Sequence, residues 1–254
     1  MKKLLTGTCL SLGIILSSSV YAAPINVGGV VFDPDALLDF TSTDTIYEST
    51  VGIVGDVLSG YGKILNLNGT GEATFCPGCE LTYTFTGFTI SDITLPAVTF
   101  TGGTVSFFVD HAPDFNAVTL GAASAGNGTP WLTLVGKTTT NLGTGKVGTL
   151  FSTITSGTLG SGSEGGNGFG FMDVSGGPAA GNFDTNSFVT NGGLADFNFS
   201  SSFQPIPNGG VTFEGYRLFG SNDLSGNAIP TPATLALLGL GLLGMGAASR
   251  RRKV

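Results

Sequence analysis

The residues able to do chemistry are few, and they bound what the chain can catalyse. His111 is the sole histidine. A Ser-His-Asp relay needs an imidazole base, so any such site would rest on His111 beside Asp110. Serines are plentiful, but none stands in a Gly-x-Ser-x-Gly turn. Gly62-Lys63 and Gly145-Lys146 lack the earlier glycine and the following Ser or Thr of a phosphate loop. Glycoside hydrolysis needs two carboxylates roughly 5–10 Å apart. Glu48, Glu72, Glu80, Glu164 and Glu214 are the available glutamates, and spacing pairs none of them. The expectation is a non-enzymatic chain, with His111 on a solvated polar loop.

Metal chemistry has one weak candidate. Asp110, Asp114 and Asn116 crowd oxygen donors into seven residues, Asp110-His111-Ala112-Pro113-Asp114-Phe115-Asn116. Calcium takes six to eight oxygens, and this stretch does not follow the EF-hand pattern. The default is a solvated loop, and no cofactor is expected. Two cysteines carry the other chemistry. Cys76-Pro77-Gly78-Cys79 places Pro-Gly at the centre of a type II turn, where glycine accepts a positive φ. That turn brings the cysteines close enough for a disulfide. Its tiny loop limits the entropic gain to about 2 kcal/mol. A thioredoxin-like site would put a helix after the second cysteine, yet Glu80-Leu81-Thr82-Tyr83-Thr84-Phe85 reads as a strand. A zinc site would need two further ligands, and His111 alone cannot supply both.

The elements that must position these residues are strands. Leu81, Tyr83 and Phe85 alternate with threonines, the period of a strand with one buried face. Ile25–Val27, Val30–Phe32, Tyr47–Gly55, Val57–Leu67, Trp131–Gly136 and Lys146–Thr155 read as further strands. Val98–Phe108 reads as a strand pair broken at Gly102-Gly103. Phe169–Val174, Phe183–Phe188, Ala195–Phe203 and Val211–Phe219 alternate again. The one helical turn expected in the body is Asp33–Phe40. Gly157–Gly170, rich in Gly and Ser, reads as a flexible loop. Ser221–Asn227 reads as a polar lead into the tail. The sum is an all-β domain, a single β-sandwich or jelly roll, over residues 23–228.

The charges are sorted by position. Six of ten cations are Lys2, Lys3, Arg250, Arg251, Arg252 and Lys253. All 17 acids lie between, with only Lys63, Lys137, Lys146 and Arg217 to oppose them. A body so acidic excludes nucleic acid as a partner, since phosphates need cations. Lys2 and Lys3, the apolar Leu4–Val20 and the small residue Ala22 form a secretory signal over residues 1–22. Its expected partners are the secretion machinery and signal peptidase. At the other end, residues 233–249 carry no charge. As a helix they would span roughly 26 Å, the short limit for a bilayer core. The following cations would hold their end in the cytoplasm.

Pro230-Thr231-Pro232, the run ATLALLGLGLLG and Arg250-Arg251-Arg252 resemble the tail of PEP-CTERM proteins. Thr231 stands where that family has Glu. The segments CPGCELTYTF, FFVDHAPDFN and GTPWLTLVG, and the FDTN stretch from Phe183, resemble elements of one group in that family with no assigned activity. The resemblance implies sorting by an exosortase-type enzyme, with residues 229–254 as the tail. It implies transient holding in the inner membrane, then the cell surface or extracellular matrix. It also implies association with exopolysaccharide. Two alternatives stay open: a secreted carbohydrate-binding module or glycan-active enzyme, and a plain C-terminally anchored membrane protein.

Overall fold

Alternating apolar and polar residues make strands, and here the strands pair until the sheet meets itself. The computed structural model describes residues 22–35 and 40–229. Residues 24–229 form one compact unit. The expected signal peptide up to residue 21, the centre of the Asp33–Phe40 turn and the 233–249 helix lie outside the described residues. Among the described residues, no helix is long and apolar enough to cross a membrane.

A hairpin of β1 (Ile25–Val27) and β2 (Val30–Phe32) comes first. The long strands β3 (Phe40–Glu48) and β4 (Val57–Leu67) follow, then the short β5 (Thr70–Gly71) and a helical turn, Glu72–Phe75. Next come β6 (Glu80–Thr94), β7 (Ala97–Asp110), the helical turn Ala122–Ala125 and β8 (Thr129–Gly136). A small hairpin, β9 (Thr139–Thr140) with β10 (Val147–Gly148), precedes β11 (Leu150–Ser156) and β12 (Gly165–Gly176). After the turn Ala180–Phe183, β13 (Phe188–Thr190) and β14 (Gly193–Ala195) form another hairpin. β15 (Phe197–Pro205) and β16 (Leu218–Gly226) complete the chain.

The main sheet runs β12-β15-β16-β3-β4-β6-β7-β8, and β8 pairs back onto β12. It is a closed, barrel-like sheet of eight strands, antiparallel in each pairing. β11 lies in the same gap as β8, farther along. It pairs with Ala97–Phe100 of β7 and Gly165–Gly170 of β12. β8 pairs with the later halves of both strands. The all-β reading therefore holds, but the sandwich or jelly roll gives way to a barrel. Both architectures need strands with one buried face, so the alternation is common to them. Closure rests on long-range pairings that no local pattern encodes.

Glycines let the barrel curve and fill. Gly87, Gly102 and Gly103 have φ of 81°, 73° and 97° where β6 and β7 bend together. β7 is thus one bent strand rather than the expected broken pair. Elsewhere an aromatic ring lies over a glycine of the neighbouring strand. A Cβ on Gly60 would sit 2.3 Å from Phe85, on Gly62 2.4 Å from Tyr83, on Gly166 2.8 Å from Phe203 and on Gly226 2.3 Å from Phe197. Rings of this size fit a small barrel only opposite a residue without a side chain.

That packing overturns the reading of Gly157–Gly170 as a loop. The loop ends at Glu164, and Gly165–Gly176 is a strand paired on both sides. Ser221–Asn227 is likewise no lead-in, because β16 runs between β15 and β3. Its Leu218, Asn222 and Leu224 are buried while Ser221 and Asp223 are exposed. β3 occupies Phe40–Glu48, so residues 49–55 of the expected Tyr47–Gly55 strand belong to a loop. Phe183 ends a helical turn, and Val211–Arg217 is irregular.

The two barrel ends differ. At one, Phe32, Phe40, Trp131, Phe183 and Phe197 pack with ring centroids 4.7–6.4 Å apart. Trp131 Nε1 donates to Val27 O at 2.9 Å, fastening the β1–β2 hairpin there. Ile229 N–H donates to Asn182 O at 2.7 Å, so the last described residue is fixed at this end too. At the other end, loops 49–56 and 157–164 meet at Gly52 and Gly160.

Candidate functional site

Glu80 opens β6 with its side chain buried, next to the turn that carries the cysteines. Cys76 and Cys79 form a disulfide with Cα atoms 5.1 Å apart. Cys79 N–H donates to Cys76 O at 3.0 Å, and Gly78 has φ 78°, as a Pro-Gly type II turn requires. The bridge lies within the long β4–β6 connection, just after a helical turn, rather than at the tip of a tight hairpin. His111 Nε2 lies 3.1 Å from Gly28 O, so the single imidazole fastens the β1–β2 turn.

Of the expected calcium ligands, the fold brings two together. Oxygens of Asp110 and Asp114 join one of Glu80 within 4.8 Å of one another. Asn116 turns back into its own loop, where its Oδ1 accepts the N–H groups of Val118 and Thr119. The cluster is heavily engaged. Glu80 Oε1 accepts from Asp114 and Phe115 N–H at 2.9 Å each, and Oε2 from Lys63 Nζ at 2.9 Å. Asp114 accepts Asn127 Nδ2 on both oxygens, and Asp110 accepts Ala112 N–H. Lys63 also meets Glu72 at 2.8 Å. Burial would lower the Lys63 pKa, but the two carboxylates outweigh it and raise it. A divalent cation here would have to displace an ammonium and several N–H donors.

The same use of carboxylates recurs. Asp196, also buried, accepts the N–H groups of Val174, Thr185 and Asn186, which fixes the Phe183–Asn186 stretch. Asp56 accepts Gly52 and Ile53 N–H, and those bonds hold its pKa below the ordinary carboxylate value. Glu214 accepts Ala122 N–H and Glu164 accepts Gly160 N–H. Part of the acidity of the body is thereby explained: these acids latch loops by capturing backbone donors.

Two buried carboxyls escape this rule; the sequence reading counted Glu48 only as an available glutamate and passed over Asp44. Along β3 the buried side chains are Phe40, Ser42, Asp44, Ile46 and Glu48. Asp44 accepts Tyr83 Oη–H at 3.1 Å and Asn222 Nδ2–H at 3.0 Å. Burial nonetheless pushes its pKa well above the ordinary range. Glu48 is 6% exposed, and burial alone raises its pKa to about 7. Glu48 lines an internal cavity, with Tyr83, Phe85, Phe100, Phe107 and Phe199 around it, and Asp44 bonds to Tyr83 and Asn222 of its wall. The clue in the sequence was the period of two in Phe40-x-Ser42-x-Asp44-x-Ile46-x-Glu48, masked by three polar members.

A second, open recess lies outside the barrel, with a volume of about 420 Å³. Leu142, Phe169 and Phe171 supply its apolar part. Thr139, Thr140, Asn141, Thr190 and Asn191 supply hydroxyls and amides, and no charged side chain lines it among the described residues. Asn191 joins the two hairpins that form its rim, through Thr140 N–H and O.

The tail residues Pro230, Thr231, Pro232, Arg250, Arg251 and Arg252 lie outside the described residues. Their sequence is informative by comparison: residues 228–253 match the family model of the PEP-CTERM protein-sorting motif. Searches of curated proteins and of solved structures give no match. The chain thus carries a motif for sorting to the cell envelope by an exosortase-type enzyme. The motif starts two residues after the last strand of the barrel.

Proposed function

We propose that the chain is an exported, non-enzymatic structural protein of the cell envelope or extracellular matrix, associated with exopolysaccharide. The sorting motif at residues 228–253 carries this reading. The rest of the chain is compatible with passive duty in an exposed setting. The barrel has no open sheet edge in its closed ring, and a disulfide braces one connection. Most candidate acids serve as loop latches, and His111 fastens a turn, which leaves them poor material for acid–base work. In this reading the signal peptide is removed on export and the tail holds the protein in the inner membrane until it is cut. Deleting the sorting enzyme tests it: full-length protein should then accumulate in the inner membrane. An unchanged distribution between membrane and surface would favour an anchor that is never processed.

The second reading, a carbohydrate-binding module, is favoured by the uncharged outer recess. Aromatic floors and hydroxyl or amide rims suit the apolar faces and hydroxyls of neutral sugars. A glycan array probed with the exported protein should show binding to neutral glycans that Phe169→Ala abolishes. Absence of binding, or binding indifferent to Phe169, removes this reading.

A further inference from the structure

The internal cavity of the barrel is mostly apolar, yet two polar groups aimed at it lack partners. Its wall is built from Ile46, Leu58, Phe88, Val98, Leu150 and similar side chains, with no Lys, Arg or His among the described residues that line it. Glu48 faces it at the end covered by Val51 and Leu159, which come from the two closing loops. Among the described residues no hydrogen bond reaches the Glu48 carboxyl, whose pKa is perturbed by burial alone. Farther in, Asn222 lines the cavity and its buried Oδ1 is also unpartnered. Buried acceptors left empty cost stability, so they persist where something else fills them.

The unmet capacity is of one kind. A carboxylate and an amide oxygen both want hydrogen donors, and the acidic wall repels an anion. The other ionisable groups facing the cavity are Tyr83 and Glu164, and Glu164 already accepts Gly160 N–H. The volume open to the centre of a water molecule here is about 60 Å³. One water needs roughly 10–15 Å³ in that measure, so the space suits about four to six non-hydrogen atoms.

From these features we propose that the barrel interior binds a small aliphatic amine. Its ammonium meets Glu48 and its hydrocarbon fills the space between Leu150, Phe100 and Phe199. The amine arrives as its ammonium ion and Glu48 transfers its proton to water as the pair forms, so the buried site gains no net charge. Glu48 titrates near neutrality, which makes that transfer accessible at physiological pH.

The test uses the full chain in non-ionic detergent with pentylamine, pentanol and pentanoate, followed by saturation-transfer NMR and thermal shift. Pentylamine should bind saturably, with half-saturation near or below about 1 mM. Pentanol should bind about tenfold more weakly and pentanoate not at all. Glu48→Gln should bring pentylamine to the level of pentanol, while a cooperative melt at or above the parent temperature shows that the variant folds. No saturable amine binding would mean that water alone fills the cavity and would overturn the proposal. So would equal binding of pentanoate, or amine binding unchanged in Glu48→Gln.

Discussion

At the scale of single residues, carboxylates divide into two kinds. Glu80, Asp196, Asp56 and Glu214 accept backbone donors and so are useful when charged. Glu48 has no such donors, so charge there is a burden. Its folded pKa, about 7, lies above the unfolded value of 4.5. The folded state therefore holds a proton that the unfolded state has lost between those limits. Stability contributed by this group is complete below pH 4.5, falls as pH rises and is lost above about 7. Glu48→Gln removes the ionisation while keeping the shape. At pH 8 it should be more stable than the parent by about 3 kcal/mol, and at pH 4 nearly equal. Urea unfolding at the two pH values reads this out; a difference that does not depend on pH would show that Glu48 is not the titrating group.

At the scale of elements, glycine opposite an aromatic ring sets both curvature and packing. Gly62→Ala would push a Cβ against the Thr45 carbonyl and the Tyr83 ring at once. Neither is the far end of a flexible chain, so the variant should lose about 3 kcal/mol, as overpacked cores do. Gly69→Ala, where a Cβ meets nothing within 4 Å, controls for backbone strain alone, since its φ is 72°. Equal losses for the two would contradict the packing account. The same pairing explains what was legible in the sequence. Val57–Leu67 and the Leu81–Phe85 run announced themselves because large apolar residues alternate with polar ones. The first part of β12 did not, because Gly166, Gly168 and Gly170 take its inward places and glycine looks like a loop; its second part, Phe169–Val174, did. β16 did not, because Gly220, Asn222 and Gly226 dilute its apolar face. β3 was placed too late along the chain, because Ser42, Asp44 and Glu48 point inward. The disulfide was legible because its geometry is local: four residues and a Pro-Gly turn. The acidic cluster was legible in part. Asp110 and Asp114 are neighbours in sequence, whereas Glu80 joins them only through the β6–β7 pairing.

At the scale of the whole molecule, the chain consists of a closed barrel and an address. Sequence alone pointed to an all-β fold and, through the resemblance of its tail, to envelope sorting. Barrel closure was hidden, because it depends on β8 and β11 filling one gap in turn after the β9–β10 excursion. The barrel fixes Ile229 beside Asn182, so the motif begins where the folded unit ends. That arrangement lets the tail be removed with no strand disturbed. The central claim is that the tail is a temporary handle, cut after export despite Thr231 in place of Glu. Mass spectrometry of the C-terminal peptide from surface or matrix material tests it most directly. The account predicts a new C-terminus close to Pro230–Pro232, with Ala233–Val254 missing. Surface material that retains Arg250, Arg251, Arg252 and Lys253 would contradict it.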